Sequence, residues 1–137
     1  MTLCDASPLV AIVDEGQGTS HEKSSAVLRR LAAPLKTTWL CLTEAFYFLG
    51  KIGGWPLQKS LWSMLHEGVI EIYDLTPADR ERMYVLMEKY RDTPMDAADA
   101  SLVAAAESLE TNRIFTLDSD FHVYRIHGRT PFEVVPE

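Results

Sequence analysis

The chain has 137 residues, enough to enclose a sizeable core, and is expected to form one domain over residues 1–137. Hydrophobic residues make up 47% of it and charged residues 24%, the balance of a globular protein; the net charge of −7 argues against a protein that coats nucleic acid by charge alone. No apolar run reaches the ~20 residues of a membrane-spanning helix, and MTLCDASPLV has no basic leader or small-residue cleavage site, so the expectation is a cytoplasmic protein without membrane association.

Residues 2–5 (TLCD) predict a short strand ending in a carboxylate, followed by a helix through Val13 with Ser7 as its cap and Pro8 in its first turn. The polar run at residues 14–23 reads as a loop. A second helix follows to about Ala33, capped by Thr19 or Ser20 and stopped by Pro34. TTWLC, residues 37–41, reads as a second strand. Thr43 then caps a helix with Glu44 in its first turn, which Gly50, Gly53 and Gly54 break before Trp55.

A helix over residues 56–66 carries Leu57, Leu61, Trp62 and Leu65, and VIEIYDL (69–75) is a strand. The helix over 76–90 is the clearest: Thr76 caps it, Pro77 opens it, and Met83, Leu86, Met87 and Tyr90 form one stripe. MDAADASLVAAAE, residues 95–107, is the next helix. IFTLD (114–118) is a strand ending in aspartate, and FEVV (132–135) is the last strand. Strands alternating with helices of this length imply an α/β fold, a sandwich of helices around a narrow, mostly parallel sheet. Cys4 and Cys41 fall in apolar segments and read as buried, reduced thiols.

The acids recur at particular places in this plan. Asp5 and Asp118 end strands, Glu44 starts a helix that follows a strand, and Asp96 and Asp99 open the helix before the last such strand. In parallel sheets ligand sites collect at the carboxyl ends of strands. Each acid alone is explained by a cap, a turn or the helix dipole; the joint pattern places five carboxylates from four segments at one edge. Asp96 and Asp99 are i and i+3 neighbours on one helix face, a repulsion without structural return unless a cation sits beside them. Oxygen ligands without His or Cys suit Mg²⁺ or Mn²⁺, and the chemistry favoured is metal-assisted phosphodiester hydrolysis.

LCDAS, TEAFYFLG, MDAADASLVAAAE and IFTLDSDF, in this order, resemble the PIN domain, especially the VapC toxin-like ribonucleases, from Asp5 to Phe121. The resemblance implies a PIN-like three-layer α/β/α sandwich and an endoribonuclease dependent on Mg²⁺ or Mn²⁺. It maps the acidic quartet onto Asp5, Glu44, Asp99 and Asp118, and Asp96 and Asp120 onto acids that accompany the quartet, either as further metal ligands or as acids that support the ligands. Ser7 and Thr116 match supporting hydroxyls beside the first and last acids. It further implies an RNA substrate, a small antitoxin that covers the site, and a homodimer. Phe46, Tyr47, Phe48, Trp55 and Trp62 read either as core or as a groove for an antitoxin helix or a dimer contact.

Two rival readings have discriminating features. A non-catalytic PIN-like module would bind a protein partner or RNA through the acidic pocket, but the full set of acids disfavours it. A phosphoacceptor receiver-like domain wants an acidic pair near the N-terminus and a late Lys; here Asp5 stands alone at the first strand end and no Lys follows Lys89. Lys51, Arg113 and Arg125 are the cations nearest the acidic motifs in sequence, and His122 is the one histidine close enough to touch a substrate.

Overall fold

Thr2–Cys4 (β1) is buried along its whole length, and that burial makes it the central strand of the sheet. The computed structural model describes residues 1–32 and 34–137. On one side of β1 lie Leu35–Thr37 (β2) and then Ile70–Ile72 (β3); on the other lie Arg113–Phe115 (β4) and Glu133–Val135 (β7), all parallel. The order β3-β2-β1-β4-β7 leaves β1 and β4 as neighbours whose chains depart in opposite directions, a switch point of the kind at which parallel sheets form crevices. Arg125–Ile126 (β5) and Thr130–Pro131 (β6) make a small antiparallel hairpin that the sequence reading did not anticipate.

Six α-helices complete a three-layer α/β/α arrangement among the described residues: Ala6–Val13 (α1), Thr19–Arg30 (α2), Trp39–Gly53 (α3), Trp55–His66 (α4), Pro77–Lys89 (α5) and Ala97–Leu109 (α6). Leu3, Leu9, Leu35, Leu42, Leu61, Ile70, Leu102 and Phe115 are all fully buried or nearly so and belong to one core. Cys4 and Cys41 are buried and free. Among the described residues, no helix is long and apolar enough to cross a membrane.

Several predicted boundaries move. Asp5, not Ser7, caps α1, its side chain accepting from the Ala6 N–H at 2.7 Å. α2 starts at Thr19 behind Gly18, whose φ of 62° supplies the turn without a side-chain cap. It ends at Arg30, and the predicted end near Ala33 lies outside the described residues. The second strand is Leu35–Thr37 and not 37–41, because Thr38 caps α3 and Trp39–Cys41 are its first turn. Thr43 is therefore inside the helix, and Glu44 lies in its second turn. The helix also continues through Gly50 and Gly53, and only Gly54, at φ 71°, ends it. A Cβ on Gly53 would stand 2.6 Å from Leu57 Cδ1, so this glycine lets α4 fold back closely on α3.

α5 keeps its predicted cap, but its stripe is only partly inward: Leu86 is buried, Met83 and Tyr90 are half-buried, and Met87 is exposed. A buried acid holds this helix. Asp79 accepts from the Thr76 N–H (2.9 Å), from Tyr73 Oη (2.7 Å) and from Ser108 Oγ of α6. Burial alone would push its carboxyl up, but these bonds outweigh it and hold it below the usual range. Arg82 of α5 and Glu107 of α6 form a second tie, with Nε to Oε1 at 2.7 Å. Thr76→Ala is expected to lower stability by about 1 kcal/mol; Asp79→Ala, which also strips Tyr73 and Ser108 of their acceptor, should cost about 2–3 kcal/mol. Urea unfolding followed by far-UV circular dichroism checks both.

Candidate active site

Three chain segments meet at the carboxyl ends of β1 and β4. Asp5 is the first residue after β1. Its backbone N–H donates to Phe115 O at 2.9 Å, continuing the pairing of the two strands by one more bond. Asp118 follows β4 by three residues and caps a 3-10 turn at Ser119–His122, accepting from the Asp120 N–H at 2.9 Å. Asp99 comes from the first turn of α6. Helices that return along a parallel sheet begin at the edge where its strands end, which is why a helix N-terminus brings an acid to the same place. One carboxylate oxygen from each of Asp5, Asp99 and Asp118 lies within 4.8 Å of the others.

The hydroxyls divide their work. Thr116 Oγ1 donates to Asp5 Oδ2 at 2.8 Å and accepts from the Asp118 N–H at 3.0 Å, so one hydroxyl fixes a carboxylate and the start of the loop carrying another. Ser7 Oγ accepts from the Leu117 N–H at 3.2 Å; it holds that loop and contacts no carboxylate.

Asp96 is exposed and stands just outside α6 as its cap, while Asp99 is the third residue of the helix. Asp96 Oδ1 accepts from the Asp99 N–H at 2.8 Å, and Asp99 Oδ2 accepts from the Asp96 N–H at 3.4 Å. This reciprocal capping box overturns the expectation that the pair brings no structural return. Tyr124, fully buried and edge-on to Tyr90 and Phe121, supports the same carboxylate. Its phenol donates to Pro94 O at 2.9 Å and lies 3.3 Å from Asp99 Oδ2. Sequence reasoning missed Tyr124, because nothing in local pattern distinguishes it from any other core aromatic.

Burial first, and like charges after it, set the electrostatics. Burial, then the charges of Asp96 and Asp5, push the Asp99 carboxyl up to about 7. Burial raises Asp5, against the hydrogen bonds from Thr116 and Ala6, and burial followed by the charges of Asp96, Asp5 and Asp118 raises Glu44. Glu44 is thus within the field of the centre although its oxygens are not in the close group of three; Asp96 and Asp120 are also outside that group. None of the ion pairs among the described residues involves any of these acids. Three clustered carboxylates, two of them buried, with no compensating side chain could hold a divalent cation, and an all-oxygen donor set suits a hard one.

Residues 2–126 match the family model described as the PIN domain. The chain belongs to the PIN domain family. It is 27% identical over 135 residues to Ribonuclease VapC26 of Mycobacterium tuberculosis, a match covering 98% of this chain and 99% of that protein. Among solved structures it is similar to VapC20 of M. tuberculosis, described as a sarcin-ricin loop cleaving toxin, with a TM-score of 0.82 at 15% identity over 90% of this chain and 94% of that one. It is also similar to VapBC2 of Rickettsia felis, solved bound to a DNA fragment from their promoter, with a TM-score of 0.67 at 12% identity over 97% of both chains. At these identities the two structures speak to the PIN fold alone.

The raised Asp99 carboxyl gives a signed expectation. A carboxyl that holds its proton more tightly in the fold contributes stability below its ordinary range, near about 4, and loses it as pH rises through about 7. In metal-free buffer, Asp99→Asn, which keeps an oxygen for the capping box, should melt above the parent at neutral pH. Its melting temperature should also fall less between about pH 5 and 7. Thermal unfolding in the presence of a chelator measures both, and a parallel pH dependence of the two proteins would refute the raised Asp99 carboxyl.

Proposed function

We propose that this PIN domain, acting as a single unit over residues 1–137, is a metal-dependent endoribonuclease and the toxin of a VapBC-type toxin–antitoxin pair working in the cytoplasm. The observation that carries this reading is the convergence of Asp5, Asp99 and Asp118 without a compensating side chain. The similarity to a relative named as a ribonuclease, and to solved structures of a toxin and of a VapBC pair, supports it.

In this reading Asp5, Asp99 and Asp118 hold Mg²⁺ or Mn²⁺. When bound, that cation supplies Lewis-acid stabilisation of charge on the phosphodiester. The chain's own residues do the rest. Thr116 fixes the Asp5 carboxylate, and the capping box with Tyr124 fixes Asp99. Glu44 is half-buried, and its raised carboxyl suits it to accept the proton of the attacking water. Asp120 presents its N–H to Asp118, and Asp96 strengthens the negative field, so both act on ligand placement in addition to any direct bond.

A cleft of about 330 Å³ between α1 and α3 opens beside the centre, lined by Ser7, Val10, Glu44, Phe48, Ile52 and Leu117. Phe48 and Ile52 are exposed. An antitoxin segment with apolar side chains fits this cleft, and a cation on it would reach Glu44. Tyr47 and Trp55, each 59% exposed, give the same face apolar surface suited to a homodimer, whereas Phe46 and Trp62 are half-buried and pack with Trp39.

The purified protein should cleave RNA with Mg²⁺ or Mn²⁺ and stop on chelation. Asp5→Ala, Asp99→Ala or Asp118→Ala should each lower cleavage by more than about 100-fold with the fold intact by circular dichroism, a larger loss than is typical of groups that only orient ligands. Cleavage that survives all three substitutions would sink the assignment. Tyr124→Phe removes one oxygen and keeps the packing; calorimetry should show Mn²⁺ binding weakened by about 10-fold, and unchanged affinity would deny Tyr124 any role in placing Asp99.

A further inference from the structure

Two clefts meet at Lys23. The smaller, about 340 Å³, opens beside the acidic centre and is lined by Lys23, Thr116, Asp118, Ser119 and His122 among others. The larger, about 790 Å³, shares Lys23 and Pro136 with it and runs along α2 past Arg30 toward Arg113. The α2 residues on its wall are Lys23, Ala26, Val27 and Arg30, spaced as one helix face, with Leu31 just past the helix end. Lys23 and Arg30 are two turns apart, about 10 Å along the axis.

The charge on this wall runs against the rest of the chain. The net charge is −7, yet α2 carries Lys23, Arg29 and Arg30 against the single acid Glu22. Lys23 and Arg30 are exposed, and neither takes part in an ion pair among the described residues. The cations nearest the acids in sequence are otherwise engaged. Arg113 pairs with Glu133 at 3.3 Å, Arg125 donates to the carbonyls of His122, Val123 and Tyr124, and Lys51 lies over the Tyr47 ring. The larger cleft also holds Glu133 and Glu137, so its uncompensated positive charge lies on the α2 wall.

We propose that these joined clefts are the path of a single RNA strand as it leaves the acidic centre. Lys23 meets the first phosphate beyond the reacting one and Arg30 a later one. The His122 ring and the hydroxyls of Ser20 and Ser119, which line the smaller cleft, flank the nucleotide between the reacting phosphate and Lys23. A single strand suits this lining because its unpaired bases can meet a ring and hydroxyls edge-on or face-on. The path rests on the RNA-cleaving reading, since it needs a phosphate at the acidic centre to set its origin.

The test is the double charge reversal K23E/R30E, with K23Q/R30Q as a milder companion. Binding of a short fluorescent single-stranded RNA is measured by anisotropy in the non-cutting Asp99→Asn background across a salt series. The reversal should weaken binding at low salt by about 10-fold or more. The slope of log K against log salt should become shallower by about 1.4, the value for two phosphate contacts on a single strand. With Asp99 intact, the reversal should not weaken Mn²⁺ binding, because neither residue forms an ion pair with the acids and the added negative charge favours a cation. Parent affinity and parent salt slope in both variants would overturn the path. Weakened binding by the variants, together with a protein that keeps Asp99, binds RNA and cleaves none with Mg²⁺ or Mn²⁺, would keep RNA on these clefts and overturn the nuclease reading separately.

Discussion

The arrangement of this PIN domain depends on one side chain that serves two strand ends. The Thr116 hydroxyl donates to the Asp5 carboxylate and accepts from the Asp118 N–H, so it joins the ends of β1 and β4 at the point where the sheet changes direction. Like charges brought together there repel, and among the described residues no lysine or arginine pairs with them. Neutral donors hold the acids in place instead: a threonine hydroxyl, a helix N-terminus and the backbone of a 3-10 turn. Such donors orient carboxylates without neutralising them, which leaves their charge available to a cation.

The remaining layers follow from that edge. Parallel strands require helices that run back along the sheet, and each such helix begins at the strand-end edge. α6 uses this to deliver Asp99, and its run from Ala98 to Ala106 is buried throughout, so the helix cannot slide without disturbing the core. α5 is pinned to it by the Asp79–Ser108 and Arg82–Glu107 contacts. The core thus supports one of the three acids directly, and Tyr124 adds a rigid aromatic wedge beneath it.

Much of this was legible in the sequence because the signals were chemical and local. Asp5 and Asp118 are carboxylates at the ends of apolar runs, and the alternation of elements gave the parallel sheet. What failed were readings in which two local rules competed. TTWLC has strand propensity, but Thr38 offers a cap and the following residues pack as a helix, so the boundary falls earlier and Glu44 lies a turn deeper than expected. Asp96 and Asp99 looked like bare repulsion because reciprocal capping is usually written with Glu or Gln at the third helical position. Tyr124 and Lys23 were invisible for a different reason: their importance comes from residues about 25 and 95 positions away, Asp99 and Asp118, and only the tertiary fold supplies those neighbours.

The bond from Thr116 to Asp5 spans 111 positions of sequence. Asp5 is translated long before Thr116, the partner that orients it, and before the third acid at Asp118. The centre also needs β4 beside β1, a pairing of residues far apart that forms late and slowly compared with local contacts. A growing chain therefore carries the first carboxylate through the whole span from Asp5 to Thr116 without any acidic centre.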